Sequence, residues 1–346
     1  MTQVRLRTST EADHPAIASL MSSVFGTGHD HPTVRPDHFR WKYLVPRSDY
    51  AAERAWIVEQ DGEIVAHIGV WPLWIRTLDG PDVHEIPALH GFDWTAKADV
   101  AGAGALVLKK AIKVRGAACV AGGSDGARPM FQPLGFRTTQ VLTHWARPTR
   151  PLKQAINRRE REVVFLPRNL FWRYWPPLKV ADWHVDQVAP EAMPEALWPR
   201  PEPGLAVFRR SAALFRYLAD CPITPVRLYR SKGPEAEGYF CLSRVPGVAK
   251  IIDAWTPSTS IDDWAALYAS AYREAMVDPE VCEVSTLAGI ARANEALRRI
   301  GFRRCGDIDF RLAERAGVIQ AGREYHFQWV DNDKGIWHRN RRDYRT

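Results

Sequence analysis

The chain has few of the features that place a protein inside a membrane or in an oxidising compartment. No apolar run reaches the roughly eighteen residues that a membrane-spanning helix needs. The start, MTQVRLRTSTEAD, lacks a basic stretch followed by an apolar core, so we expect no secretory signal peptide. The five cysteines are widely spaced and form no C-x-x-C pair, so neither a zinc knuckle nor a disulfide framework is predicted. We therefore expect a cytoplasmic protein, with peripheral contact at the inner face of a membrane left open.

The composition and the net charge are those of an ordinary globular protein. Hydrophobic residues make up 46% and charged residues 25%, which excludes overall disorder. The formal net charge of +7 permits an anionic partner but does not require one, and no nucleic-acid-binding motif is present. The 346 residues exceed one ordinary domain, so two domains are the leading expectation and three are the alternative.

Hydrophobic periodicity in the first 146 residues predicts strands and helices in a definite order. Asp61-Gly62 joins two apolar runs and is a strong hairpin signal. The predicted segments are a strand at Val4–Thr8, a helix with Ile17, Leu20, Met21 and Val24 on one face, strands at Ala55–Glu59, Glu63–Trp71 and Leu89–Thr95, a helix ending near Arg115, a strand at Ala117–Val120, a short helix at Ala127–Leu134 and closing strands at Phe136–Trp145. This β-α-(α)-β-β-β-α-β-α-β order predicts an α+β fold whose mixed sheet is antiparallel at one end and parallel at the other.

The second half repeats the first weakly. Trp41–Leu44 is echoed by Phe215–Leu218, and Leu134–Arg137 by Ile300–Arg303, at offsets of 174 and 166 residues. Such similar offsets indicate a duplicated domain with small insertions and deletions. We expect one domain over residues 1–146, a basic and aromatic connector over 147–204, and a degenerate repeat of the first domain over 205–346.

A glycine-containing turn before a helix marks the best candidate ligand site. Gly102 and Gly104 let the main chain approach a phosphate, and the helix N-terminus attracts its charge. A dinucleotide-binding fingerprint would need a third glycine at 107, where the chain has Val107, and the preceding hairpins are out of place for it. The other interpretation is a loop for the pyrophosphate of coenzyme A.

The element order, the loop Asp99–Gly104 and the segment Ala127…Leu134-Gly135-Phe136 together resemble the GNAT superfamily of acyl-CoA-dependent N-acyltransferases. The resemblance covers residues 3–146 well and 205–330 in degenerate form. The chain is therefore similar to tandem GNAT proteins of the type that modifies bacterial envelope polysaccharides and lipids. The resemblance implies acyl-CoA as co-substrate, direct attack of an amine on the thioester, and no metal.

That mechanism needs a base for the amine and a donor for the oxyanion. His90 and Asp93 are the leading candidates for proton transfer, with His67 on the neighbouring strand third. Main-chain N–H groups around Phe92–Trp94 would hold the oxyanion. Strand alternation predicts His90, Phe92 and Trp94 on one face and Asp93 and Thr95 on the other. The predicted cofactor-binding residues are Phe92, Trp94, Gly102, Ala103, Gly104, Ala105 and Ser124.

Two positions depart from the family pattern. Asp99 stands where the family's loop usually has Arg or Gln, which opposes a pyrophosphate, and Lys97 is expected to compensate. Phe131 stands where the family often has the tyrosine that protonates the departing thiolate, and the second repeat has Leu297 there. A proton must then come from another group, or the thiolate leaves unassisted.

The second repeat shows the opposite chemistry at its corresponding helix start. Ser260 is a good N-cap, and Asp262 and Asp263 complement the helix dipole while repelling pyrophosphate. We expect the second repeat not to bind coenzyme A but to shape the acceptor site or support the first repeat.

The segment Arg147–Lys179 joins the repeats and holds nine Lys/Arg against Glu160 and Glu162. It has three interpretations: a membrane-interface segment, a site for an anionic substrate, or a connector whose aromatic residues pack between repeats. The predicted function is acyl transfer to the amine of an envelope component, either a lipid amine such as a sphingoid base or an amino-sugar precursor. The alternative is a non-catalytic GNAT-fold protein that binds a ligand or partner.

Overall fold

The computed structural model describes residues 3–157, 165–174, 179–314 and 322–337. The chain divides into two compact units. Unit 1 comprises Met1–Gln140 and Asp309–Arg323, and unit 2 comprises Val141–Ile308 and Glu324–Thr346. Each unit is therefore built from two pieces that lie far apart in the sequence.

Unit 1 contains the elements predicted for the first repeat. The strand Val4–Thr8 is confirmed, and Asp61 and Gly62 both adopt the positive φ of a tight hairpin turn. The third and fourth strands are much longer than predicted. The elements are β1 Val4–Thr8, α1 His14–Phe25, α2 Pro36–Phe39, a π-helical turn Arg40–Leu44, β2 Ala55–Gln60, β3 Glu63–Asp79, β4 Asp82–Ala96, α3 Ala103–Val114, β5 Ala117–Ala121 and α4 Arg128–Phe131.

The sheet of unit 1 is mixed, as predicted. Strands β1 to β4 pair antiparallel in sequence order, and β4 pairs parallel with β5 across the α3 crossover. The last residues of β13 (Arg303–Glu314) complete the sheet, because Phe310–Glu314 pair antiparallel with β5. Helix α3 buries Val107, Leu108 and Ala111 against this sheet. Burial of this apolar face is the main source of the unit's stability.

Unit 2 contains the remaining elements, which include an antiparallel hairpin formed by Glu237–Val245 and Val248–Trp255. Its elements are β6 Arg137–Pro148, which begins in unit 1, α5 Pro151–Asn157, α6 Leu166–Tyr174, β7 His184–Val188, β8 Leu205–Phe208, α7 Ala212–Ala219, β9 Val226–Lys232, β10 Glu237–Val245, β11 Val248–Trp255, α8 Ile261–Met276, β12 Glu283–Ala288, α9 Ala291–Arg299 and β14 Glu324–His326.

The sheet of unit 2 has the same mixed character. The order is β6, β12, β11, β10, β9, β7, and every pair is antiparallel except β11 with β12, which are joined by the crossover helix α8. Strand β14 pairs parallel with β8. In each unit, antiparallel strands thus lead to a parallel pair joined by a crossover helix, which is the α+β arrangement predicted from the sequence. Among the described residues, no helix is long and apolar enough to cross a bilayer.

Candidate functional site

The central feature of unit 1 is a fork between two parallel strands. Strands β4 and β5 pair over only three positions, from Ala88–Ala117 to His90–Cys119. Beyond His90, β4 continues for six residues to Ala96 without pairing with β5. One edge of that stretch pairs with β3, and the main-chain N–H and C=O groups of the other edge face the fork, where such groups can bind an extended ligand that carries amides.

His90 lies where the fork begins, and its ring connects the two strands. The Nε2 atom accepts a hydrogen bond of 3.1 Å from the main-chain N–H of Ala121. Because Nε2 accepts, the proton of the neutral ring lies on Nδ1. The lone pair that a general base would use is therefore already engaged with β5.

Strand β4 changes its alternation at Asp93. This residue has a φ of 46°, and the pairing with β3 shifts register between His67 and Gly69. Such a bulge sends neighbouring side chains in directions that simple alternation does not give. The ring of Phe92 packs with Tyr43 and Trp71.

Trp94 instead contacts the helix side of the sheet. It donates from Nε1 to the carbonyl of Gly104 at 2.8 Å and packs on Phe131. The prediction that Phe92 and Trp94 share one face of β4 is therefore wrong. The bulge at Asp93 is the physical reason.

The carboxylate of Asp93 is the acceptor in a buried ionic cluster. Lys42 Nζ lies 2.5 Å from Asp93 Oδ2, and the two side chains are 1% and 2% exposed. The hydroxyl of Tyr43 donates to the same oxygen. Lys42 also lies 4.3 Å from the centre of the Phe92 ring. A buried carboxylate is tolerated here because a cation and a phenol compensate its charge.

Lys42 and Tyr43 reach Asp93 from the π-helical turn, a geometry that recurs at functional sites. The sequence analysis treated them only as part of a repeat. At the position that the sequence repeat aligns with Lys42, Arg216 is half-exposed and pairs with Glu191 at the surface. A lysine flanked by Trp41, Tyr43 and Leu44 was the available signal, because an isolated cation within an apolar stretch is seldom buried without an acid.

His67 lies next to the bulge on β3. Its Nδ1–H donates to the main-chain carbonyl of Asp93 at 3.2 Å, and its ring packs edge-on to Tyr43. Burial lowers the pKa of His67 to about 3, and the nearby Lys42 charge acts in the same direction. The ring is therefore neutral at physiological pH. The structure brings His67 and Asp93 together, while His90 lies at the start of the fork.

The predicted phosphate loop lies at the end of β4, directly before α3. Gly102 has a φ of 81° and occupies the N-cap of α3 without a side-chain hydrogen bond. The first-turn N–H groups of Ala103, Gly104 and Ala105 are at the positive end of the helix dipole. A side chain on Gly104 would meet Ala96 and Trp94, so this glycine permits close packing of the helix on β4.

The charges beside this loop differ from the expected compensation. Lys97 forms an ion pair with Glu63 on β3 rather than facing Asp99. Asp99 is exposed in the loop. The expectation that Lys97 offsets Asp99 is wrong, because Glu63 on the neighbouring strand lies within its reach.

Ser124 and Phe131 lie after β5. The Oγ of Ser124 accepts from the N–H of Ala127 at 3.3 Å, so its side chain stabilises the turn that starts α4. Phe131 is buried against Trp94 and Phe136, and its ring covers Gly123. A side chain on Gly123 would clash with that ring. The residue in the place of the family's tyrosine is thus part of the core.

Unit 2 has the same strand–helix–strand arrangement, but side chains cap the start of its helix. Ser260 caps α8 by accepting from the N–H of Asp262 at 3.2 Å, which confirms the predicted cap. Asp262 pairs with Arg299, and Asp263 accepts from Ser258. The helix start is therefore satisfied by its own side chains.

Strand β11 pairs with β12 as far as Ile251–Thr286. Beyond this pair, its residues contact other side chains of unit 2. The amide of Gln328 donates to the carbonyl of Ala254 at 3.3 Å. Arg210 forms ion pairs with both Asp253 and Asp331, and all three side chains are fully buried. Burial raises the pKa of Asp331 to about 6, against the lowering effect of Arg210.

A search for metal-binding clusters finds no group of three or more His, Cys, Asp or Glu side chains in the parts of the chain that the structure describes. A scan against protein-family models finds no matching family, and a search of the curated proteins finds no matching relative.

Solved structures do match. A GCN5-related N-acetyltransferase from Anabaena variabilis superposes with a TM-score of 0.56 at 8% identity, covering 90% of this chain and 72% of that one. N-myristoyltransferase from Saccharomyces cerevisiae with bound myristoyl-CoA and inhibitors superposes with a TM-score of 0.59 at 12% identity, covering 92% and 82%.

A GCN5-related N-acetyltransferase from Kribbella flavida gives a TM-score of 0.55 at 11% identity, covering 90% and 71%. These likenesses extend over nearly the whole chain, although few residues are identical. The fold of this chain is the GNAT-like fold that these acyltransferases share.

Proposed function

We propose that the protein is an acyl-CoA-dependent N-acyltransferase and that unit 1 binds the acyl-CoA. The fork between β4 and β5, followed directly by the N-terminus of α3, is the observation that carries this proposal. The proposed acceptor is the amine of an envelope component, either a lipid amine such as a sphingoid base or an amino-sugar precursor.

The two parts of the fork suit the two parts of coenzyme A. Its pantetheine arm is an extended chain with two amides, so the main-chain groups of β4 beyond His90 can pair with it as a strand would. Its pyrophosphate carries negative charge, which the N–H groups of Gly102–Ala105 and the dipole of α3 attract. The indole of Trp94, fixed on Gly104, joins the two regions.

Acyl transfer requires that the attacking amine lose a proton and that the thioester oxygen be stabilised while it carries charge. We assign the oxyanion contact to main-chain N–H groups at Phe92–Trp94, where the bulge turns β4. His67 and Asp93 are the proposed groups for proton transfer, since they meet at that bulge. His90 is assigned to the same site as the residue that holds β4 and β5 at the start of the fork.

Each of the two proposed groups has a limited role. His67 is neutral, so it can accept a hydrogen bond from an amine, but its low pKa means that it does not retain the proton. Asp93 is an acceptor already held by Lys42 and Tyr43. We therefore propose that the cluster orients the amine, whose proton ends on the departing coenzyme A thiolate while the new N–acyl bond forms and the C–S bond breaks.

The alternative is a non-catalytic GNAT-fold protein that binds a ligand or partner. The observation in its favour is that Asp93 is buried and charge-compensated, while Phe131 supplies no proton. Such a protein would bind coenzyme A but would not catalyse acyl transfer.

Thermal unfolding with acetyl-CoA, palmitoyl-CoA or free coenzyme A tests the binding step. A ligand at a hundred times its Kd stabilises a protein by about 2.7 kcal/mol. Stabilisation by the long-chain thioester alone supports a lipid acyltransferase, and stabilisation by the short-chain thioester alone supports acetylation of an amino sugar. No shift with any of the three contradicts the proposal.

The pH dependence of the rate tests the transfer step. With an accepted amine, His67→Gln and Asp93→Asn should each lower kcat by at least tenfold at constant acyl-CoA affinity, which corresponds to about 1.4 kcal/mol. The exposed His184→Gln is the matched control, and it should leave kcat unchanged. Unchanged kinetics in both site variants would overturn the assignment, and coenzyme A binding without turnover would favour the alternative.

A further inference from the structure

Helices α5 and α6 of unit 2 show an inverted distribution of polar and apolar side chains. The amides of Gln154 and Asn169 are buried and hydrogen-bonded to each other at 3.1 Å between the two helices. Four large side chains on the same helices are exposed instead: Leu152 at 60%, Ile156 at 76%, Phe171 at 53% and Tyr174 at 74%. A helix pair that only faced water would carry the opposite pattern.

The exposed apolar residues share defined helix faces. Leu152 and Ile156 are four residues apart on α5, and Phe171 and Tyr174 are three apart on α6. Side chains at these spacings lie on the same side of a helix. We refer to these two apolar faces, of which the one on α6 is aromatic, as the α5–α6 face.

The segment that carries the α5–α6 face has a large excess of positive charge. Among the described residues of Arg147–Lys179 there are six Lys/Arg and no Asp or Glu. Over its whole sequence this stretch carries nine Lys/Arg and two Glu, a net charge that equals the +7 of the entire chain. The rest of the protein is therefore neutral in formal charge.

Part of this positive charge is retained at the surface. Arg150 donates to the main-chain carbonyls of Met276, Asp278 and Val281, and Arg173 donates to that of Thr149. Carbonyl groups fix these side chains without cancelling their charge. Lys153 is different, because it pairs with Glu280.

We infer that the α5–α6 face binds the surface of an anionic lipid bilayer. An apolar helix face with Phe and Tyr matches the boundary between headgroups and acyl chains, and the surrounding cations match negative headgroups. The inference is independent of the transfer reaction proposed above. Should both hold, a lipid amine would reach the enzyme from the same bilayer.

Co-sedimentation of the full-length protein with vesicles tests this inference. The vesicles are phosphatidylglycerol mixed with phosphatidylcholine, or phosphatidylcholine alone. Wild type should bind the anionic vesicles, and more weakly at high ionic strength because salt screens the attraction. Binding to both vesicle types with equal strength would overturn the inference.

The decisive variant is Ile156→Ser/Tyr174→Ser, which changes two of the most exposed apolar residues. Its partition onto anionic vesicles should fall at least about tenfold, because each lost side chain removes apolar burial. Val24→Ser/Val83→Ser changes exposed apolar residues of unit 1 and should partition like wild type. Thermal unfolding of all proteins verifies that the folds are equally stable.

A charge variant separates the electrostatic contribution to vesicle binding from the apolar contribution. Lys179→Glu should weaken binding by about fivefold or more, since one basic residue near an anionic surface is worth about that factor. Equal partition of wild type and Ile156→Ser/Tyr174→Ser would overturn the inference. The inference would also be overturned if wild type bound no vesicles but self-associated, and if Ile156→Ser/Tyr174→Ser abolished that self-association. The α5–α6 face would then be an interface with a second copy of the chain.

Discussion

The central parallel strands of the two units separate in the same way, but the groups that lie beyond the separation differ. In unit 1, β4 leaves β5 after His90–Cys119 and continues with main-chain groups directed into the fork. In unit 2, β11 leaves β12 after Ile251–Thr286 and is met by Gln328, with Asp331 held close by Arg210. One strand arrangement thus gives either a fork lined by main-chain groups or one that side chains of the same unit occupy.

The helix starts after these strands show the same contrast. Gly102 leaves the first N–H groups of α3 without a side-chain cap, whereas Ser260 and two aspartates satisfy the start of α8. The comparison teaches that binding capacity depends on how few internal partners the fork and the helix start have. This is the physical basis for expecting that unit 1 alone binds acyl-CoA.

The largest loss of stability should come from removing Arg210, the buried cation of unit 2. Arg210→Met leaves Asp253 and Asp331 buried without their counter-charge, so the free energy of unfolding should fall by about 3–5 kcal/mol. Urea unfolding measures it. The control Arg216→Met removes a half-exposed ion pair and should change stability by less than about 1 kcal/mol. Equal effects of the two variants would contradict this account of unit 2.

Removing the cation from the corresponding cluster of unit 1 should also lower the free energy of unfolding. Lys42→Met removes the counter-charge of the buried Asp93 carboxylate, and the free energy of unfolding should fall by about 3 kcal/mol. Asp93→Asn leaves the buried Lys42 without its counter-charge and should cost a similar amount, although asparagine tolerates a positive φ and still accepts from Tyr43.

A double-mutant cycle of these two changes measures their coupling. The double variant should be more stable than the sum of the single losses by about 1–3 kcal/mol. Additive losses would show that Lys42 and Asp93 do not stabilise each other, and the unit 1 cluster would then differ in kind from that of unit 2.

Acidification should affect the units unequally. Folded His67 has a pKa of about 3, whereas the unfolded residue titrates near 6.5, so stability is complete above 6.5 and falls as the pH is lowered. Between pH 7 and 5 this loss is about 2 kcal/mol. His326 in unit 2 also has a pKa lowered to about 3 by burial.

Asp331 opposes this trend in unit 2. Its pKa is about 6 in the fold and near 3.8 in the unfolded chain, so the folded state gains stability as the pH falls from 6 toward 4. Urea unfolding at pH 7 and 5 should show a smaller acid loss in His67→Gln and a larger one in Asp331→Asn. His184→Gln should behave like wild type. The same pH dependence in all four proteins would refute these assignments.

The smallest stability effects should come from the helix starts, but they separate the units most clearly. Gly102→Val forces a side chain into a positive φ and should cost about 1–2 kcal/mol. Ser260→Ala removes a cap and should cost about 1 kcal/mol. Only Gly102→Val should remove the thermal stabilisation by coenzyme A. Loss of that stabilisation in Ser260→Ala would place the ligand in unit 2 instead.

Local patterns were enough to predict most elements. The alternation in Val4–Thr8, the Asp61-Gly62 turn and the cap at Ser260 each depend on neighbouring residues only, and all three are confirmed. The repeat offsets likewise needed only the sequence.

The site could not be predicted from neighbouring residues in this way. Lys42 and Asp93 are 51 residues apart, and only the bulge in β4 brings them together. A strand treated as regular therefore placed Phe92 and Trp94 on one face. The pairing of Lys97 with Glu63 was not predicted for the same reason, since strand register decides which charges meet.

The arrangement of β13 has a consequence for how the chain is made. Phe310–Glu314 supply the strand that covers β5, whose own residues are synthesised nearly two hundred positions earlier. While the ribosome completes the intervening chain, β5 keeps an exposed edge of the kind that recruits other strands. A fragment cut after residue 146 would carry that edge permanently. The two units are therefore not separable by a single cut, because each is built from two separate pieces of the chain.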